Sequence, residues 1–310
     1  MSTTTSGQWL NQFVAPQLLK EFKNYKDDFI GVLPGAPKAA LTADGIRFNK
    51  LINNVGFYVN NQIDFTTKKM KGEKTLVEWE KYDTDPTEID DAEIRYLGYN
   101  PRNENRIQHS DTFKMGIRDH VMWKLCPDDD TNPYMPVVRT TGEAANDGTG
   151  RKRLRFKDLV EYLEIITDLN LPREDQLFMI LNNKHRTDLI LDRDSSQYFA
   201  DKNIFFDPAT GAVKNVMSFK FFQNNAAPVF NSDSEKKAKG SAMVAGDQQA
   251  SLFFYAPNSV YHIEKIKLLY KSELEDTRSA DPKSEFRTQT YGLVDRIVDY
   301  GFGAIVSANV

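Results

Sequence analysis

The chain has 310 residues, with 40 Lys and Arg against 44 Asp and Glu, a formal charge of −4 and an isoelectric point near 5.7. That balance disfavours a dedicated nucleic-acid binder, whose phosphate contacts need a basic surface, while 40% hydrophobic and 12% aromatic residues suffice for a packed core. Seventeen glycines and 13 prolines argue against a fibrous or low-complexity chain, and a single cysteine, Cys126, excludes an internal disulfide framework and fits a reducing compartment.

No apolar run approaches the roughly 18 residues that a membrane span needs. The start, Met1-Ser2-Thr3-Thr4-Thr5, lacks the basic and apolar stretches of a secretory signal. A soluble protein made in the cytosol is expected. Residues 1–54 read as an arm. Trp9, Phe13, Leu18, Leu19 and Phe22 could line one side of a helix that Pro16 interrupts, and a turn-rich break follows at residues 32–37. With few apolar residues to pack locally, the arm is expected to lie on something else.

Residues 55–82 switch to a period of two. Phe57, Val59, Ile63 and Phe65 share one face of an extended strand, and residues 75–82 read as the returning strand with Val77 and Trp79 on one side. Lys68, Lys69, Lys71 and Lys74 surround Gly72 in a charged tip. A strand of about eleven residues reaches roughly 36 Å, and an isolated two-stranded ribbon is marginal in water. Its apolar face therefore needs a partner. An acidic stretch follows at residues 83–93, then a short strand at 94–97.

Residues 110–125 form the clearest helix of the first half, with Phe113, Ile117, Val121 and Leu125 at four-residue spacing and Pro127 as the stop. Residues 101–109 could extend it upstream. The loop from Asp128-Asp129-Asp130 runs to Gly150. Thereafter the rhythm is α/β: a helix at 156–169, a buried strand at 177–181, a short helix at 184–191, strands at 217–221 and 252–255, and an exposed loop at 232–246 between them. Extended segments at 263–271, 287–300 and 304–306 close the chain, with a charged loop at 275–285. No internal repeat is present.

The residues that could carry chemistry do not assemble into a motif. His109 and His120 stand eleven apart without ligand-spaced partners, His185 and His262 are isolated, and surface or hydrogen-bonded histidines are expected. Cys126 ends an apolar helix face and reads as a small core residue. The three aspartates at 128–130 lack the alternation of a calcium loop, and Gly148-Thr149-Gly150-Arg151-Lys152 lacks the gap and Lys-Ser/Thr pair of a phosphate loop. There is no nucleophile elbow or dinucleotide fingerprint. No catalytic, cofactor or metal residue is expected. Two basic clusters remain, the ribbon tip and Arg151, Lys152, Arg153 and Arg155. Both fit solvated loops, but a positive tip with an acidic stretch at its base also suits docking onto another copy.

The order of elements resembles the major capsid proteins of tailed bacteriophages, the Hong Kong ninety-seven type. Residues 156–191 look like that family's axial domain, and residues 252–261, 263–271 and 290–306 are similar to its ending. The resemblance covers nearly the whole chain as order and texture rather than as an invariant motif. It implies an α+β fold in which 1–54 are the N-terminal arm and the start of a peripheral domain. Residues 55–97 would be an extended loop lying across the adjacent subunit, and 98–127 with 264–289 the peripheral domain with its spine helix. Residues 128–263 and 290–310 would form an α/β axial domain. The inter-subunit contacts would then fall on Trp9, Phe13, Phe57, Val59, Ile63, Phe65, Lys68, Lys69, Lys71, Lys74, Val77 and Trp79.

What the resemblance implies for function is a structural, non-enzymatic protein of the virion, assembled in the host bacterial cytoplasm. Copies would join as hexamers and pentamers in an icosahedral shell around double-stranded DNA, held by non-specific contact. Scaffold and portal proteins would be encoded separately, with a cement or decoration protein as a further partner. Some family members link neighbours covalently through a loop lysine and an asparagine of the peripheral loop. Residues 259–308 contain no Asn, so a non-covalent shell is expected. The chain starts at its arm with Met1, which fits a separate scaffold better than a trimmed product. The alternatives are a nanocompartment shell of the same fold enclosing an enzyme, a cytosolic α/β enzyme with an inserted ribbon, and a tail component, which should be more uniformly β.

Overall fold

Strand β13 (Ser284–Arg296) organises one half of the fold in the computed structural model, which describes residues 28–52, 59–60, 71–89, 101–172, 174–192, 219–271, 275, 278 and 283–310. Along one edge it pairs antiparallel with β11 (Ser259–Ile263) and then β12 (Lys267–Lys271). Along the other it pairs with β4 (Glu80–Asp83) and β5 (Thr87–Ile89). Ser284, Phe286, Thr288 and Thr290 alternate as buried residues on one face. Helix α1 (Pro101–Leu125) packs against this strand.

The other half is a mixed sheet in the order β6 (Val137–Arg139), β14 (Phe302–Val306), β10 (Gln248–Tyr255), β7 (Leu177–Leu181), β8 (Lys220–Gln223), with β9 (Val229–Phe230) attached to β10. Its central strands are buried on both faces, so they read as continuous apolar runs rather than alternating ones. Phe178, Ile180, Leu252, Phe254, Ala304 and Val306 point into one core together with Phe113, Ile117, Val121, Met122 and Leu125 of α1. Met179, Leu181, Phe253 and Ile305 point the opposite way, onto Leu159, Tyr162 and Ile166 of α2 (Phe156–Asp168). Short helix α3 (Asn183–Leu191) starts on Asn182, whose side chain accepts from the His185 amide at 2.7 Å.

Phe29, Ile30 and Leu33 are buried in the α1 core, with Phe29 edge-on to Phe254 at 6.3 Å, so this stretch is held by its own subunit. The ribbon pairs β3 (Lys71–Glu78) with β2 (Gly45–Ile52), in register from Gly45↔Glu78 to Ile52↔Lys71; residues 55–58 and 61–65, expected to supply its other strand, lie outside the described residues. Alternation identifies a strand but not its partner. Finally, β3 runs directly into β4, so residues 80–89 belong to the β13 sheet instead of an extended loop. The divisions expected at 263/264 and 289/290 likewise separate strands of one sheet.

Candidate functional site

Among the described residues, the hairpin of β2, β3 and β1 (Leu41–Thr42) meets the rest of the subunit at its Gly45/Glu78 end. There Ile46 and Val77, cross-strand partners, are buried against Val260 and Leu293. Trp79 packs on the same cluster, donates its Nε1–H to the Thr42 carbonyl at 3.1 Å and stands edge-on to His262 at 5.7 Å. Gly45 is required here. Its φ of +146° is left-handed territory, and a Cβ would overlap the Val77 carbonyl.

Val77 and Trp79 pack within their own subunit: Val77 is 5% exposed, and the indole hydrogen bond is intramolecular. Val59 is 73% exposed. Lys71 pairs with Ile52 and Lys74 with Asn49 in the β2–β3 register. Trp9, Phe13, Phe57, Ile63, Phe65, Lys68 and Lys69 lie outside the described residues.

Beyond the root, β4 is clamped to α1. Glu80 Oε2 lies 2.5 Å from His120 Nε2 and accepts from the Tyr82 hydroxyl at 3.1 Å, while Oε1 meets Lys124 Nζ at 2.8 Å. Burial alone would push this carboxyl up; the hydrogen bonds and charges of His120 and Lys124 outweigh it and hold it down to about 2. Nothing in the sequence signals this set, because Glu80 and His120 are 40 residues apart. A cavity of about 560 Å³ opens beside it between α1 and β4.

The same end of α1 is tied to the loop between β9 and β10 and to β13. Lys236 Nζ donates to the carbonyls of Trp123 (3.2 Å) and Cys126 (2.9 Å), pairs with Asp128 at 2.6 Å and lies 4.3 Å over the Trp123 ring. Arg296 adds a bond to the Cys126 carbonyl at 2.6 Å and one to Asp128 at 2.8 Å. Two cations thus satisfy the free carbonyls and negative end of the helix dipole.

Several other polar residues are bonded inside the subunit. Arg151, expected in a solvated cluster, is 4% exposed and forms a two-pronged ion pair with Asp188 at 2.5 and 2.9 Å. His185 bridges Ser251 and Ser307, and His109 bonds Thr84 and Thr87. Cys126 is buried, which pushes its thiol up to about 12. Among the described residues no three His, Cys, Asp or Glu side chains are grouped to hold a metal.

No family model matches the sequence, and no curated protein matches it. Solved structures do. The chain is similar to the capsid of the cyanophage P-SCSP1u, with a TM-score of 0.60 over 87% of this chain and 85% of the other at 13% identity. It is similar to the cyanophage Pam1 capsid at 0.61, covering 89% and 88% at 9% identity, and to the Ralstonia phage GP4 capsid at 0.58, covering 90% and 87% at 10% identity. The fold is that of phage capsid proteins.

Proposed function

We propose that the protein is the major shell subunit of a tailed phage, a structural rather than catalytic molecule that self-assembles as hexamers and pentamers into an icosahedral container for double-stranded DNA. The observation that carries this reading is the likeness to capsid structures over most of both chains. The hairpin supports it: a two-stranded ribbon gains little stability alone, and packing on a second copy buries what its own subunit leaves uncovered. In this reading the arm residues Trp9 and Phe13 and the ribbon residues Phe57, Val59, Ile63, Phe65, Lys68 and Lys69 meet a neighbouring copy. Separately encoded scaffold and portal proteins, and a decoration protein, complete the particle.

A net charge of −4 suits a wall that encloses a polyanion without binding it tightly. Electron microscopy of the purified protein tests the reading. Closed shells or capsomer rings are expected; a uniform population of single subunits at high concentration overturns it.

A further inference from the structure

Helices α2 and α3 each carry an outer stripe that folding of their own subunit does not account for. On α2 the buried residues are Phe156, Asp158, Leu159, Tyr162 and Ile166. Val160, Glu164 and Asp168 recur at four-residue spacing on a flank that faces solvent, Val160 42% exposed. On α3 the buried residues are His185, Asp188 and Leu189, while Lys184, Thr187 and Leu191 share an outer flank, Leu191 55% exposed. The charges sit at the wrong helix ends. Asp168 is the last residue of α2 and Lys184 the second of α3, so each meets a dipole end of its own sign. Glu161 is matched with Lys157 at 3.4 Å, but among the described residues no ion pair reaches Glu164, Asp168 or Lys184.

The two stripes complement each other in one orientation. At a rise of about 1.5 Å per residue, Val160 to Asp168 spans about 12 Å of helix and Lys184 to Leu191 about 10.5 Å. Laid antiparallel, Val160 meets Leu191 and Asp168 meets Lys184, and each charge also gains a helix end of opposite sign. Laid parallel, Val160 faces Lys184 and Leu191 faces Asp168, which buries each charge against an apolar side chain. Within one subunit the stripes do not cover each other. The Asp192 carboxylate accepts from the Phe156 amide at 2.6 Å and holds the end of α3 to the start of α2, yet Val160 and Leu191 stay exposed. Two different patches of one molecule that fit each other make a head-to-tail contact, which closes into a ring where the rotation allows.

We infer that the Val160–Glu164–Asp168 stripe of one copy packs antiparallel on the Lys184–Thr187–Leu191 stripe of the next, joining copies head to tail around a ring. The contact rests on the shell-forming reading and supplies the joint between ring neighbours. Charge reversal tests it. Asp168→Lys and Lys184→Asp each place a charge where its own helix dipole favours it, so the Tm of the dissociated subunit is expected to hold while particle yield falls about tenfold. Both reversals in one chain are expected to restore the yield. Undiminished yield in the single variants, or a double variant no better than they are, overturns the contact. Chains carrying both Val160→Cys and Leu191→Cys, oxidised mildly as particles, are expected to give a ladder of linked copies on gels without reductant, Cys126 being buried. Particles of normal size that give only monomers or only dimers overturn the contact and leave the shell reading standing; wild-type chains that form no particles overturn both. A Leu191→Asp variant with a lowered Tm of the dissociated subunit also overturns it, since the subunit's own residues 193–218 are then the cover.

Discussion

His185 is fully buried, its Nδ1 2.7 Å from the Ser251 hydroxyl and its Nε2 2.9 Å from that of Ser307. Burial, reinforced by the charges of Arg151 and Lys184, pushes its pKa down to about 3 from the ordinary 6.5. The folded protein therefore holds a neutral imidazole over a range where the unfolded chain takes up a proton. As pH falls from about 6.5 towards 3 the unfolded state binds more protons, and this residue removes up to about 1.4 kcal/mol of stability per pH unit. Denaturation midpoints measured across that window should fall for the wild type and fall less for His185→Gln; equal slopes would refute the assignment. The nearby Arg151–Asp188 pair calls for a different test. Asp188→Ala leaves a buried guanidinium and the Leu154 amide short of a partner, with an expected loss of about 3–5 kcal/mol in urea titration. Replacing both by Met and Leu should recover much of that loss, because the desolvation cost then disappears as well.

Helix α1 packs one of the two main cores, and its C-terminal turns are secured by groups far away in the chain. Lys236→Met removes the strap at its C-terminal end, leaving Asp128 with Arg296 alone. A loss of about 2–3 kcal/mol is expected, with faster amide exchange through residues 231–247. Trp79→Asp is expected to lower the Tm of the dissociated subunit, since the indole serves the ribbon root; an unchanged Tm would return Trp79 to the role of an inter-subunit contact. The helices and central strands were legible in the sequence for a physical reason. The stripe Phe113–Ile117–Val121–Leu125 and the run at residues 177–181 each record a local period imposed by burial. What could not be read was pairing. Nothing in Gly45–Ile52 names Lys71–Glu78 as its partner, and nothing in Glu80 names His120 or Lys124, because long-range complements leave no local pattern. Arg151 misled in the same way: a basic run looks solvated until a buried aspartate 37 residues on is seen beside it.

For the molecule as a whole, the absence of Asn between residues 259 and 308 predicts assembly without covalent bonds between copies. Particles boiled with reductant should run as a single band at 35.5 kDa, and a ladder of heavier bands would show a linkage built from other residues. The two sheets share a further property. Strand β13 supplies partners to β4, β5, β11 and β12, and β14 sits between β6 and β10; Thr84 alone bonds Thr288 across 204 positions. Residues 284–306 are therefore the closing pieces of both halves, and contacts of such separation form late. While a ribosome is still making the chain, neither half can settle. In the proposed shell, an unfinished copy would present no completed docking face, and the order of synthesis would keep partial subunits out of the growing lattice.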